Sequence, residues 1–278
     1  MYKAEISRKN PALFVFLLDQ STSMEDPFGG SRSEQSKAAG LTDIVNSVFY
    51  DMVVKARDGE TTKNYYYISV IGYGDDVSSG LSGSLSGKQI ISIEELANNT
   101  LRVEKREKKE SDGTGQLVEK PYKMPIWVDP VASGMTPMRE AFLQAKEIIE
   151  PWISDHSEGF PPIVINVTDG EANDGDPEEI AEDIKQLKTN DGNALVFNAH
   201  LSSSRSIPIQ FPDRIDGLPD DFAKMLFRMS SNLPQPMLEV AKAESFIVGE
   251  GSRGFVFNSD FVNLVQFINI GTRPANRG

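Results

Sequence analysis

The first stretch of this 278-residue chain with clear chemical potential is DQSTS, residues 19–23, which follows the apolar run ALFVFLL. It places Asp19, Ser21 and Ser23 at alternate positions. Because side chains alternate along an extended chain, all three can point to one side. One carboxylate and two hydroxyls would then offer hard oxygen donors to the same point in space.

Two later stretches add donors of the same kind. Thr136 lies in GMTPM, at the start of a predicted helix, and Asp169 lies in TDG, after the apolar run PPIVINV. Hard oxygen donors with few charges suit Mg²⁺ or Mn²⁺ in octahedral geometry, with water completing the shell. We therefore predict a site for Mg²⁺ (or Mn²⁺) built from Asp19, Ser21, Ser23, Thr136 and Asp169.

The elements that must position these residues alternate along the chain between strand-like and helix-like patterns. This alternation predicts an α/β fold, with a doubly wound, mostly parallel central sheet and helices on both faces. In such a sheet, ligands bind at the carboxyl ends of strands, where the strand order reverses. The predicted strands are 12–18, 64–74, 161–170, 193–201 and 253–257, and the predicted helices are 33–56, 136–153, 176–187, 234–244 and 259–270.

Two segments interrupt the alternation, at about 75–128 and 202–221. Within the first, SSGLSGSLSG is predicted to be a flexible loop, and residues 101–124 a polar, solvated β-hairpin turning at SDGTG. The second segment is predicted to be a long loop. We therefore expect a single domain over residues 1–271 with these two insertions, followed by a flexible tail at 272–278.

Each donor stretch has a structural explanation when it is considered alone. Asp and Ser after a strand favour turns, and so does Asp169 before Gly170. Thr136 before Pro137 is a good helix N-cap. The metal prediction therefore rests on all three stretches occurring together, at strand and helix ends.

In this order, the three stretches resemble the metal-ion-dependent adhesion site of von Willebrand factor type A domains. That site combines D-x-S-x-S after the first strand, a threonine in a later loop and a T-D-G aspartate after the fourth strand. The resemblance covers most of the chain, apart from the two insertions, and implies the Rossmann-like fold of that family. It also implies that Ser21, Ser23 and Thr136 contact the metal directly, and that Asp19 and Asp169 do so directly or through water.

Composition narrows the function classes. The formal net charge of −13 argues against a nucleic-acid-binding protein, which needs a basic face. The chain has no cysteine and only two histidines, so thiolate chemistry is excluded and histidine bases are scarce. The N-terminal sequence shows no signal-peptide pattern, and no apolar run could span a membrane. We expect a cytoplasmic protein.

These observations favour a metal-dependent protein–protein interaction module over an enzyme. The resemblance implies a partner protein that donates an Asp or Glu carboxylate to the metal. Stand-alone bacterial, intracellular members of the family suggest a signalling or stress-response system, with a kinase, phosphatase or AAA+ ATPase as partner. The alternative is a metal-assisted hydrolase or phosphatase at the same site. It is disfavoured because Ser21 stands where phosphatases with an aspartate nucleophile usually carry a second carboxylate. An extracellular adhesin is a third, less favoured function.

Overall fold

The fold was obtained as a computed structural model. It describes residues 2–4, 6–28, 35–111, 117–201, 207–259 and 261–272. Most of the predicted SDGTG turn, the first part of the second insertion after Leu201, and the predicted tail from residue 273 onward lie outside the described residues.

Fourteen strands are found in the described part of the chain, several of them only two or three residues long. They are β1 (Ala12–Asp19), β2 (Arg57–Asp58), β3 (Thr61–Thr62), β4 (Tyr66–Tyr73), β5 (Val77–Ser79), β6 (Ile91–Ser92), β7 (Arg102–Ser111), β8 (Leu117–Ile126), β9 (Ile163–Thr168), β10 (Lys188–Thr189), β11 (Gly192–Asn193), β12 (Leu195–His200), β13 (Ile209–Gln210) and β14 (Phe255–Phe257).

The helices are distributed along the whole chain. They are α1 (Lys37–Ala56), α2 (Ile93–Asn98), α3 (Met138–Asp155), α4 (Glu178–Gln186), α5 (Asp221–Met229), α6 (Gln235–Ala243) and α7 (Phe261–Thr272). Short 3-10 helices span Thr22–Glu25 and Gly83–Leu85. Among the described residues, no helix combines the length and apolar character needed to cross a bilayer.

The central sheet has the order β13-β14-β12-β9-β1-β4-β5, and β6 pairs with β4. Strands β14, β12, β9, β1 and β4 are parallel, whereas β5, β6 and β13 pair antiparallel at the sides. After β1 the chain adds β4 and β5 on one side of it, and later adds β9, β12 and β14 on the other side. This is the strand order of a doubly wound sheet, with its switch point between β1 and β9. The predicted fold class is confirmed.

Strand β1 is apolar at every position before Asp19 because it is covered on both faces. Phe14 and Phe16 pack into the layer that contains α1, α2, α6 and α7. Val15 and Leu17, pointing the other way, pack into the layer of α3, α4 and α5. A parallel strand covered on both faces has no solvated side, so its run needs no polar alternation.

The predicted helix starts differ from the observed ones by a few residues. Helix α1 begins at Lys37 because the Ser36 hydroxyl accepts the backbone N–H of Ala39 and acts as N-cap. Helix α3, predicted from residue 136, begins at Met138, and its N-cap is Pro137 and not Thr136. Helix α4, predicted from residue 176, begins at Glu178 with Pro177 as its N-cap, while the Asp176 carboxylate accepts the N–H of Glu178.

The first insertion is more ordered than predicted. The SSGLSGSLSG segment, expected to be a flexible loop, carries the end of β5 and a 3-10 helix, and its Leu81 and Leu85 are buried in the core. Helix α2 and strand β6 follow within a region for which no regular structure was predicted. Helix α5 was also missed, although Asp220 caps it by accepting the N–H of Ala223.

The predicted hairpin exists. Strands β7 and β8 pair over ten positions, from Arg102 with Ile126 to Ser111 with Leu117. Asn46 on α1 anchors the return strand, because its Oδ1 accepts the Trp127 N–H at 2.8 Å and its Nδ2 donates to the Val128 carbonyl at 2.9 Å. The base of the hairpin is therefore tied to α1.

Candidate metal centre

Asp19 ends β1 at the switch point of the sheet, with only 1% of its surface exposed. Its Oδ1 accepts the backbone N–H of Ser21 at 2.9 Å, which turns the chain sharply after the strand. Its Oδ2 accepts the Thr168 hydroxyl at 2.6 Å, from the end of the adjacent strand β9. Both carboxylate oxygens are thus oriented by hydrogen bonds within the protein itself.

Burial raises the pKa of the Asp19 carboxyl from its ordinary 3.8 to about 6. Removing the carboxylate from water is the largest cause, and the nearby negative charge of Asp169 adds to it. Hydrogen bonds from Ser21 and Thr168 oppose the rise, because they stabilise the charged form. A cation beside Asp19 would favour its charged form further.

The two serines of DQSTS connect the end of β1 to the end of β9 through hydrogen bonds. The Ser21 and Ser23 hydroxyl oxygens are 3.1 Å apart, and Ser23 Oγ donates to Asp169 Oδ1 at 2.7 Å. The two hydroxyls are neighbours although Ser23 belongs to the 3-10 helix Thr22–Glu25, and not to the extended loop from which the alternation was expected. The oxygens Ser21 Oγ, Ser23 Oγ and Asp169 Oδ1 are thus neighbours at the carboxyl edge of the sheet.

Thr136 completes the group from a third loop. Its Oγ1 and the Ser23 Oγ lie 3.6 and 3.7 Å from the position that a Cβ on Gly170 would take. The structure therefore brings together all five residues predicted to form the site. Both hydroxyls are thus next to the position that Gly170 leaves without a side chain.

Two residues that the sequence reasoning missed hold the Thr136 loop. Asn173 Oδ1 accepts the Thr136 N–H at 3.0 Å, and the Asn173 N–H donates back to the Thr136 carbonyl at 3.2 Å. Asp174 caps the start of α3 by accepting the N–H groups of Arg139 and Glu140. The loop after Asp169 therefore positions Thr136. The run of Asn and Asp after TDG was the available sequence signal.

Close backbone approaches bring the first and third loops together. The Thr22 N–H and hydroxyl both donate to the Gly134 carbonyl, each at 3.1 Å, and the Ser133 N–H donates to the Gln20 carbonyl at 2.7 Å. Gly134 has φ +79°, and a Cβ there would lie 2.4 Å from the Asp75 nitrogen. Glycine is required at this position by both conformation and space.

The most consequential residue missed from the sequence is Lys37, at the first position of α1. Its Nζ lies 2.6 Å from Asp169 Oδ2, with its side chain 4% exposed and that of Asp169 fully enclosed. It also lies 3.4 Å from the Ser23 carbonyl and 3.5 Å from Asp26 Oδ2. Helical periodicity gave no signal for this contact, which depends on the meeting of α1 with the end of β9.

A buried polar row runs beneath the site, across the sheet. Tyr73 donates its hydroxyl to Asn166 Oδ1 at 2.7 Å, and Asn166 Nδ2 donates to Asn198 Oδ1 at 3.0 Å. Asn198 in turn donates to Ser230 Oγ at 2.9 Å, at the end of α5. Burial raises the pKa of the Tyr73 hydroxyl well above its ordinary value, so Tyr73 serves here as a donor.

His200 is the last residue of β12, two positions after Asn198. It is 7% exposed and contacts the rings of Phe222 and Phe257. Burial lowers the pKa of its imidazole, chiefly because the charged form loses its hydration. Its surroundings are those of a packed histidine, in agreement with the scarcity of histidine bases noted above.

The donor set fits a small, hard cation by two criteria. Adjacent ligands of an octahedral shell at 2.0–2.1 Å from Mg²⁺ are about 2.9 Å apart, and the Ser21–Ser23 and Ser23–Asp169 oxygen separations of 3.1 and 2.7 Å bracket that value. All the donors are carboxylate or hydroxyl oxygens. Three of the five donors are neutral hydroxyls, and in the described part of the chain no three His, Cys, Asp or Glu side chains cluster as a metal site.

Comparison with known proteins found no matching family model and no matching curated protein. Among solved structures, the chain is similar to a von Willebrand factor type A protein from Catenulispora acidiphila, with 16% identity, a TM-score of 0.39, and coverage of 69% of this chain and 33% of that one. The chain therefore spans about a third of that protein's length.

Two further solved structures are similar. One is the manganese-loaded TRAP protein of Plasmodium vivax, with 13% identity, a TM-score of 0.44, and coverage of 94% of this chain and 73% of that one. The other is the pilus adhesin RrgA of Streptococcus pneumoniae, with 12% identity, a TM-score of 0.31, and coverage of 61% and 21%. The fold assignment itself rests on the strand order described above.

Proposed function

We propose that this chain is a metal-dependent protein–protein interaction module, with Mg²⁺ or Mn²⁺ held at the carboxyl edge of β1 and β9. The observation that carries the proposal is the convergence of three separate loops, which bring two carboxylates and three hydroxyls to the switch point of a doubly wound sheet. Helix and strand packing alone does not call for this concentration of oxygen donors at one edge.

The roles of the donors follow from their charge and fixation. Ser21, Ser23 and Thr136 would hold the metal directly through neutral oxygens. Asp19 and Asp169 would add charge, directly or through water. When bound, the metal would supply an electron-poor position that accepts one more anionic oxygen, and a carboxylate from a partner protein suits it.

A binding role is favoured over catalysis by the state of Asp19. A nucleophilic carboxylate needs a free oxygen facing the substrate, whereas both Asp19 oxygens accept hydrogen bonds and the residue is 1% exposed. Two residues after Asp19, where phosphatases with an aspartate nucleophile usually carry a second carboxylate, this chain has Ser21. We therefore propose no enzymatic activity. Metal-dependent turnover of a generic phosphoester by the wild type, lost in Asp19→Ala, would contradict this.

The partner and location are part of the same proposal. We infer a cytoplasmic protein of a bacterial signalling or stress-response system, whose partner presents an Asp or Glu side chain. A kinase, a phosphatase or an AAA+ ATPase is the class of partner that the type A resemblance implies. Cell fractionation would test the location, and detection of the chain only outside the cytoplasm would contradict it.

The experiment for the metal site is titration of the purified chain with Mn²⁺, followed by the EPR signal of the free ion. Wild type should bind one ion, and Ser23→Ala and Thr136→Ala should each weaken binding. Ser84→Ala is the matched control, because Ser84 is an exposed hydroxyl on the 3-10 helix Gly83–Leu85 and should not affect it. Binding that is equal in all four proteins would refute the site.

The experiment for the interaction is capture from native lysate with Mg²⁺ present, repeated with EDTA. A partner retained by wild type should be lost with EDTA and with Thr136→Ala, and retained by Ser84→Ala. Equal capture in every condition would show that the interface lies elsewhere on the molecule.

A further inference from the structure

We propose that Lys37 is a built-in competitor of the metal, which weakens metal binding and leaves the bound site in need of an external carboxylate. The inference rests on the proposed metal site and adds a regulating residue to it. It stands on a contact that the donor motifs do not contain, namely the ion pair between Lys37 Nζ and Asp169 Oδ2 at 2.6 Å.

The position of Lys37 is unusual for a lysine. It is the first residue of α1, where the helix dipole presents its positive end and disfavours a cation. Its side chain is also buried, and buried lysines are rare unless they are paired. Its stability in this place therefore depends on carboxylates, and the shortest such contact is with Asp169.

The same carboxylate faces both the lysine and the proposed metal ligands. Asp169 Oδ1 accepts the Ser23 hydroxyl at 2.7 Å, while its Oδ2 accepts the Lys37 ammonium. The Lys37 ammonium is also 3.4 Å from the Ser23 carbonyl. A divalent cation held by Ser23 Oγ and Asp169 Oδ1 would therefore share the Asp169 carboxylate with the fixed positive charge of Lys37, and the two cations would repel each other.

The charges of the enclosed groups show the consequence. Asp19 and Asp169 provide two negative charges, and Lys37 cancels one of them. A bound divalent cation therefore leaves the site with an excess of one positive charge. Without Lys37 the same site would be neutral. The excess is what one carboxylate from a partner would neutralise, so Lys37 makes stable metal retention depend on the partner.

Mn²⁺ titration, read by the EPR signal of the free ion, tests the inference on wild type, Lys37→Met and two controls. Lys37→Met keeps the length of the side chain and removes its charge, and we expect Kd for Mn²⁺ to fall by about tenfold or more. Lys37→Arg keeps the charge and should stay close to wild type. Lys146→Met is the matched control, because Lys146 pairs with Asp183 at the same 2.6 Å distance but between α3 and α4, on the surface.

Thermal melting of the same proteins separates competition from a purely structural role. With EDTA, Lys37→Met should melt below wild type, because the enclosed Asp169 carboxylate has lost its counter-ion. With saturating Mn²⁺, this variant should gain more in Tm than wild type does. A residue that only packs would lower both melting temperatures equally. If Lys37→Met does not fold by circular dichroism, Lys37→Gln replaces it, since it keeps a hydrogen-bond donor for Asp169 without the charge.

The outcomes distinguish this inference from the proposed function. If wild type binds Mn²⁺ and the uncharged variants bind it equally or more weakly, Lys37 is not a competitor and the inference fails alone. If no folded variant binds Mn²⁺, the metal site itself is refuted, and the inference falls with it. Tighter binding in Lys37→Met or Lys37→Gln, with both controls unchanged, supports the inference.

Discussion

Thr168 donates its hydroxyl to Asp19 Oδ2 at 2.6 Å, although the two residues are 149 positions apart in the chain. Thr168 ends β9 and Asp19 ends β1, so the bond joins the two strands at the point where the strand order reverses. It fixes the orientation of the carboxylate and partly offsets the cost of its burial. The threonine of TDG thus has its own task, separate from that of Asp169.

Replacing this hydroxyl should damage both the fold and the site. Thr168→Val keeps the branched shape, removes the hydrogen bond to a buried carboxylate, and should lower the free energy of unfolding by about 1–3 kcal/mol. Mn²⁺ affinity should fall as well, because Asp19 Oδ2 loses the shortest of the hydrogen bonds that orient the carboxylate. Thr42→Val is a suitable comparison, since Thr42 is buried but bonds only to carbonyls of its own helix. Unchanged Mn²⁺ affinity in Thr168→Val would mean that Asp19 is oriented by other contacts.

The raised pKa of Asp19 predicts a pH-dependent stability in the metal-free protein. A native pKa of about 6, against an ordinary 3.8, means that the folded state binds the proton more tightly than the unfolded state does. The stabilisation is complete below about pH 3.8 and is lost as the pH rises through 6. Wild type should therefore gain up to about 3 kcal/mol relative to Asp19→Asn between pH 7 and pH 4.

Urea unfolding of both proteins in EDTA, at a series of pH values, measures this difference. Taking the difference between two variants cancels the titration of the other carboxylates. A gap that stays constant with pH would show that Asp19 ionises in the folded protein at its ordinary pKa. A gap that moves in favour of Asp19→Asn on acidification would show that folding lowers the pKa of Asp19 instead of raising it.

The polar row beneath the site should contribute measurably to stability. Tyr73→Phe removes the donor to Asn166 Oδ1 and leaves that oxygen with one partner fewer inside the sheet. We expect a loss of about 1–3 kcal/mol in the free energy of unfolding, measured from urea midpoints at constant slope. Tyr50→Phe, at an exposed position on α1, should change little. Equal effects of the two substitutions would show that the buried bond is not stabilising.

Gly134 should tolerate no side chain, for two separable reasons. Gly134→Ala places a Cβ 2.4 Å from the Asp75 nitrogen and at φ +79°. Gly59→Ala supplies the comparison, because Gly59 has φ +62° with nothing within 4 Å of the added Cβ. The Gly59 variant should lose about 1 kcal/mol from conformation alone, and the Gly134 variant more. Only Gly134→Ala should also reduce Mn²⁺ affinity, because Thr136 lies two residues on.

The core strands and the long helices were predictable because their signal is local. A run such as IVINV can only be covered on both faces, and the stripe on α1 repeats with the helical period. Helix α5 is as long as α4 and α6, which were predicted, so its signal was present in the sequence and was overlooked. The shorter elements α2 and β6 were missed because their local signal is weak. Each has few residues over which a period can show, and each is stabilised by burial against elements far away in the chain.

The site likewise contains residues that local sequence patterns predict and contacts that they do not. Asp19, Ser21, Ser23 and Asp169 could be chosen from the sequence because donors that follow strands of one parallel sheet must meet at one edge, and Thr136 because it stands at a predicted helix start. The sequence by itself thus determined the kind of donor and the edge on which it lies. The tertiary structure alone decided that Thr168 orients Asp19, that Asn173 holds Thr136, and that Lys37 pairs with Asp169. These contacts depend on how loops and a helix start meet across the switch point, and side-chain packing over such separations leaves no periodic trace in the sequence.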